Sequence, residues 1–241
     1  MNISIFAPNF CIKVKKFFVV LCCFFIGSTV FGQINEIGIF AGGSNFVGDV
    51  GKETHISPDS PAFGLIYKWN RSTRHAWRFS VMHSNLKIDD AKSESTARQQ
   101  RDYALRNSVT ELSAGLEFNF FEFNLHDLGF KITPYVHTGL NYFWYDNMYF
   151  ISGVAEKDGG KGRNFSIPMT LGIKFNLNQS WVLGLESGVR YTFVDDIDGS
   201  NPTSSKYQHL QFGNINSNDW YVFTGVTLTY TFGRNPCYCP L

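Results

Sequence analysis

Apolar and polar side chains alternate with period two along most of the chain, the pattern of half-exposed β-strands, and no helical stripe recurs. The first such segment, 36–43, places Ile37, Ile39 and Ala41 on one face. Segment 62–69 sets Phe63, Leu65, Tyr67 and Trp69 against Gly64, Ile66 and Lys68. In 75–84, Trp77, Phe79 and Val81 alternate with Arg78, Ser80 and Met82. Segment 110–120 opposes Leu112, Ala114, Leu116, Phe118 and Phe120 to Glu111, Ser113, Gly115, Glu117 and Asn119. The design then repeats. Segment 133–144 sets Val136, Leu140 and Tyr142 against Tyr135, His137, Gly139 and Asn141. In 165–175, Ile167, Met169, Leu171, Ile173 and Phe175 face away from Thr170, Gly172 and Lys174. In 181–193, Leu183, Leu185, Val189 and Tyr191 oppose Gly184, Glu186, Gly188 and Arg190. Segment 220–232 carries Val222, Val226, Leu228, Tyr230 and Phe232 on one side. These predict eight strands, most near the roughly 9–11 residues that cross a bilayer at a tilt.

The connections alternate too. Residues 44–61, 85–109, 145–164 and 194–219 are long and polar, whereas 70–74, 121–132 and 176–180 are shorter. Such alternation predicts an antiparallel up-and-down meander with one elaborate rim, and an even strand count puts both ends on the short-turn rim. A soluble ligand-binding barrel would point its large apolar residues inward. Here the face opposite the Leu, Ile, Phe, Val and Trp residues mixes Gly and Ser with charge, which suits a crowded polar interior. Aromatic residues near strand ends (Trp69, Trp77, Phe120, Trp181, Trp220, Phe232) fit interfacial girdles. The expected fold is an all-β, eight-stranded antiparallel transmembrane β-barrel over 33–232.

Composition refines this picture. Of 241 residues 17% are aromatic and 17% charged, and the formal net charge of +1 offers no basic field for nucleic acid. The apolar run from Phe17 to Gly32 is too short for a helix that needs about 20 residues to span. Preceded by Lys13, Lys15 and Lys16, and ending Val30-Phe31-Gly32, it predicts a signal peptide over 1–32, cut before Gln33. Leu21 before Cys22 disfavours a lipoprotein signal. Export would remove Cys11, Cys22 and Cys23, leaving Cys237 and Cys239 in an oxidising compartment. They lie in a tail, 233–241, that Pro236 and Pro240 keep out of any strand. A bridge between them would close a very small ring, and a bond to another chain is the alternative.

The candidate chemistry is mostly structural. Arg78, Lys174 and Arg190 face the same interior as Glu111, Glu117 and Glu186, an expected lumen ion-pair network. Arg190 is expected to pair with Glu186 or Glu117. An eight-stranded interior is only wide enough for side chains to fill it, so a porin is excluded. Asp195, Asp196, Asp198 and Gly199 hint at calcium, but Tyr207 stands where a bidentate Glu belongs. Gly159-Gly160-Lys161-Gly162 lacks the first Gly and the Ser/Thr of a phosphate loop and is read as flexible loop. The six histidines lack zinc spacing. Ser80, Ser84 and His83 are the residue types of a lipid hydrolase. No catalytic residue, metal or cofactor is expected.

Longer strings are more distinctive. EIGIFAGGSNFVGDVG (36–51), PAFGLIYKWN (61–70), ELSAGLEFNFFEFNLHD (111–127) and NDWYVFTGVTLTYTFGRNPCYC (218–239) resemble the PorG family. Those are outer-membrane barrels of the type IX secretion system of Bacteroidetes, a machine also tied to gliding motility. The resemblance implies a structural subunit in the outer membrane, with both termini in the periplasm. It further implies as partners a PorK-type (GldK-type) lipoprotein and a PorN-type (GldN-type) ring protein, alongside outer-membrane lipid. The alternative is a general small outer-membrane barrel with adhesive loops or lipid-hydrolase activity. Under the secretion-ring reading, Cys237 or Cys239 is expected to make a disulfide or close contact with the ring lipoprotein, against a local Cys237–Cys239 bridge as the other outcome.

Overall fold

The computed structural model describes residues 35–125, 129–214 and 216–233. The predicted signal peptide, Cys237 and Cys239 lie outside them. Eight strands follow in order: β1 (Asn35–Val47), β2 (Ser60–Asn70), β3 (His75–Asp89), β4 (Ala104–Asn119), β5 (Ile132–Ile151), β6 (Val154–Asn176), β7 (Trp181–Thr192) and β8 (Trp220–Phe232). A short helix, α1 (Thr96–Arg101), lies between β3 and β4. Each strand pairs antiparallel with its sequence neighbours, and β8 returns to β1, closing the barrel. No helix among the described residues is long and apolar enough to cross a membrane.

Register shows how the barrel closes. Pairs lead from Asn35 through Trp69, Trp77, Leu116, Thr138, Met169, Val189 and Val222 back to β1 at Asn45, ten residues beyond the start. A shear of that size with eight strands tilts them about 40°. Rows of paired residues therefore climb towards the long-loop rim from β1 to β8.

The alternation sorts side chains inside out relative to a soluble barrel. Ile39, Leu65, Leu112, Leu140, Leu171 and Leu185 stand exposed on the outer surface, while Glu111, Glu117, Lys68, Lys174 and Arg78 are buried within. Between Thr110 and Phe120 the chain spans about 25 Å of height, that of an apolar band that needs hydrocarbon around it. Towards the long-loop end the interior becomes apolar, and Phe40, Ile66, Met82, Phe143, Tyr221 and Phe223 pack with Ile197 from the β7–β8 loop.

The strands overrun several predicted limits on the long-loop side. Residues 145–164, read as a polar connection, extend β5 and β6 into a tall hairpin. Ser152 and Gly153, both at positive φ, form its two-residue turn. Gly159-Gly160-Lys161-Gly162 thus lies in β6 rather than in a flexible loop. Beyond the apolar band both faces of a strand are free to be polar, so the alternation fades while backbone pairing continues. At Gly162 a Cβ would strike the Tyr145 ring, so the missing side chain leaves room for an aromatic one. Val222 departs from the pattern in another way. It shares the outward parity of Val226 but is fully buried. Beside it Asn45, also outward, donates to the carbonyls of Thr54 and His55, and the His55 ring meets Trp220. The β1–β2 loop therefore folds down over this part of the outer wall.

Candidate functional site

The interior holds two ionic clusters stacked along the barrel axis. Nearer the short turns, Glu117 receives Lys174 at 2.5 Å and Lys68 at 2.8 Å, with Arg78 at 3.6 Å. Arg78 grips Glu186 with two parallel bonds of 2.7 Å, and the Tyr135 hydroxyl donates to the same carboxylate at 2.5 Å. Both lysine ammonium groups lie within 5.4 Å of the Tyr135 ring centre. Higher up, Glu111 accepts from Arg190 at 3.0 Å, from the Tyr221 hydroxyl at 2.8 Å and from the Asn141 amide at 3.1 Å. Arg190 also donates to the Gly188 carbonyl and lies over the Phe223 ring. Glu36 accepts from Asn70 and Thr229 on the wall between them.

All six expected network residues therefore meet in the lumen, but the pairing differs. Arg190 binds Glu111, not Glu186 or Glu117. Glu186 and Arg190 share a face of β7 yet stand about 13 Å apart along it, at about 3.3 Å per residue. Lys68 and Glu36 complete the set and were missed as members. The signal was available, because each shares a face with small residues opposite its strand's large apolar ones. Among the described strand residues, four buried cations (Lys68, Arg78, Lys174, Arg190) face four buried carboxylates (Glu36, Glu111, Glu117, Glu186). Such a neutral set can tie strands together, but it does not leave a charge over to select an ion.

The long-loop mouth is closed by a second polar group. Asp219 accepts the Ile197 amide at 2.9 Å, and Asn107 donates to the Ile197 carbonyl at 2.7 Å, pinning that residue in the mouth. Asp198 accepts the amides of Asp49, Val50 and Ser200. Asp196 accepts from the hydroxyls of Tyr145 and Thr203. Burial, with Asp198 and Asp49 nearby, pushes the Asp195 carboxyl up to about 7, and burial likewise raises Asp198 and Asp219. The candidate calcium residues Asp196 and Asp198 thus accept from amides of the β1–β2 loop and of their own loop and from the hydroxyls of Tyr145 and Thr203. No group of three His, Cys, Asp or Glu among the described residues is disposed to hold a metal ion.

The hydrolase residue types do not converge. Ser80 and Ser84 point into the barrel, where Ser84 donates to the Pro61 carbonyl, whereas His83 points outward to Thr110. His137 is buried against the Gly115 backbone of β4.

Among solved structures, the chain is similar to the attachment invasion locus protein Ail of Yersinia pestis at 12% identity, covering 84% of this chain and 100% of that one, with a TM-score of 0.45. Neisserial surface protein A is similar at 9% identity over 83% and 97% of the two chains, with a TM-score of 0.42. Outer membrane protein AlkL is similar at 12% identity over 100% of both, with a TM-score of 0.43. None of the curated proteins matches the sequence. One family profile matches residues 15–241, and the chain belongs to that family, described as "Domain of unknown function (DUF6089)".

Proposed function

We propose that the chain is an outer-membrane barrel that serves as a structural subunit of the type IX secretion and gliding apparatus. Its task in this reading is to anchor or organise the periplasmic ring of a PorK/GldK-type lipoprotein and a PorN/GldN-type protein. The observation that carries the reading is the filled interior. Eight buried ionic groups and the Ile197 plug occupy the lumen, so the barrel holds a position in the membrane and conducts no cargo. The strings at 36–51, 61–70, 111–127 and 218–239 supply the identity of the machine. The exposed apolar belt requires a membrane, and a β-barrel of this build belongs to an outer one.

Both ends of the barrel lie on the rim that carries the short turns, where Asn35 pairs with Phe232. In the proposed orientation that rim faces the periplasm, and the tail bearing Cys237 and Cys239 leaves it towards the ring. Changing both cysteines to Ala is expected to leave the barrel assembled but to weaken ring anchoring and secretion. Cross-linking in intact envelopes, pull-down of the barrel and non-reducing gels of each single variant test this. A reductant-sensitive band of higher mass containing the ring lipoprotein supports the reading. If deleting the whole barrel leaves secretion intact and no ring protein is captured, the reading fails.

A further inference from the structure

The outer wall is chemically uneven around its circumference. Beyond the aromatic residues on the long-loop side, β1, β2, β7 and β8 present no Lys or Arg outward. The sector β3–β6 presents Lys87, Arg106, Lys161 and Arg163, interleaved with inward-facing Leu86, Ile88, Leu105, Asn107 and Gly162. Lys87 is paired across strands with Arg106, and Arg163 with Trp144. Of the outward carboxylates in this sector, Asp89 pairs with Lys87 at 3.5 Å and Asp146 with Lys157 at 2.6 Å, while Glu156 and Asp158 stand further up β6, towards the hairpin turn. Arg106, Lys161 and Arg163 take part in no ion pair among the described residues.

Register places these cations at a common height. Residues His83, Thr110, Trp144 and Arg163 form one outward row across β3–β6. That row climbs about 3 Å per strand, and each residue along a strand adds about 2.5 Å. Lys87, four residues above His83, therefore stands level with Arg163. Arg106 and Lys161 stand a few ångströms higher. Tyr142, Phe165 and Trp144 lie just below, at the depth of an interfacial girdle.

Beneath, the wall is concave along a path that rises into this sector. An open apolar groove of about 560 Å³ runs from Ile37 and Tyr67 on β1 and β2 across Phe79 and small Ala114 to Tyr142 and Phe165 on β5 and β6. An apolar channel leading up into uncompensated cations at the membrane surface matches the two ends of one kind of molecule.

We infer that this sector binds a phosphorylated acyl lipid of the leaflet on the long-loop side, its chain in the groove over Ala114 and its phosphate against Arg106, Lys161, Arg163 and Lys87. Guanidinium groups suit phosphate because their N–H donors match its oxygens in pairs. Long basic side chains also reach from the wall to the headgroup layer. The inference needs a membrane-spanning barrel and is independent of any role in secretion.

The test uses the purified full chain in detergent, titrated with monophosphorylated lipid A and with the same lipid after dephosphorylation, and read by native mass spectrometry. The phosphorylated form is expected to bind at least about tenfold more tightly. Changing Arg106, Lys161 and Arg163 together to Gln should abolish that preference, whereas Arg71→Gln with Arg74→Gln at the short turns should keep it. Ala114→Phe, which fills the groove, should weaken both lipid forms. All the substituted cations are exposed, and heat-modifiable gel mobility checks that each variant is folded. Equal binding of the two lipids, or a preference that survives the triple change, overturns the site. Displacement of the lipid by inorganic phosphate at matched concentration overturns the assignment to a lipid.

Discussion

Glu117 is the most heavily engaged side chain of the interior, meeting two ammonium groups and one guanidinium with no solvent exposure. Arg190 is a simpler case, since its carboxylate partner is Glu111 alone. Replacing Arg190 with Met leaves a buried carboxylate facing only Tyr221 and Asn141, an expected loss of about 3–5 kcal/mol. Adding Glu111→Gln should recover much of that loss, whereas adding Glu186→Gln should not. Urea unfolding in detergent or vesicles, arranged as a double-mutant cycle, measures the coupling. Which residues face the lumen was legible from parity, because strand side chains alternate strictly. Which of them meet was not. Arg78 on β3 reaches Glu186 on β7 across the interior, and the shear decides the relative heights of strands that are far apart in sequence.

At the scale of strands, the membrane-facing portions were readable and the portions above the membrane were not. Segments 110–120 and 181–193 alternate because one side meets hydrocarbon and the other a polar lumen. In the upper β5–β6 hairpin that contrast is absent, and Lys157, Lys161 and Arg163 look like loop residues although they sit in a ladder. The β1–β8 seam shows a constraint of another kind. Gly42 pairs with Gly225, and a Cβ on Gly42 would come within 2.3 Å of the Thr224 carbonyl oxygen and 2.6 Å of Gly225 Cα. The ring of Phe40 fills the remaining space on the lumen side. Gly42→Val must therefore push β8 away, at a cost of at least about 1–3 kcal/mol. Less of the compact, faster-migrating band on unheated gels is expected. Gly159→Val, at a position with open space but positive φ on the exposed hairpin, should strain that hairpin and leave the compact band in place.

For the whole molecule, the mouth couples stability to pH. Asp195 titrates near 4 in an unfolded chain and at about 7 in the folded one. The folded form holds this proton more tightly, so the contribution to loop packing is complete below pH 4 and is lost as pH rises through 7. Asp198 and Asp219 shift in the same direction. One oxygen each of Asp195 and Asp219 accepts no hydrogen bond, consistent with a site that tolerates the neutral acid. Hydrogen exchange at the amides of Val50 and Ile197, corrected for intrinsic rates, should show greater protection at pH 5 than at pH 8. Asp195→Asn should reduce the difference, and greater protection at pH 8 would contradict the coupling.

Closure of β8 onto β1 also limits how anything can be attached to this protein. An open sheet offers a free row of N–H and C=O groups to which a partner adds its own strand, gaining main-chain hydrogen bonds at little cost in sequence specificity. Here every strand has two neighbours, so that mode of recognition is unavailable to the barrel wall. A partner of the wall must be recognised by side chains or through the surrounding lipid, and strand addition is open at the upper β5–β6 hairpin, where β6 meets β7 only from Ser166 onward. Association with the wall should therefore be selective and sensitive to single substitutions, and the wall should resist the edge-to-edge aggregation that open sheets invite.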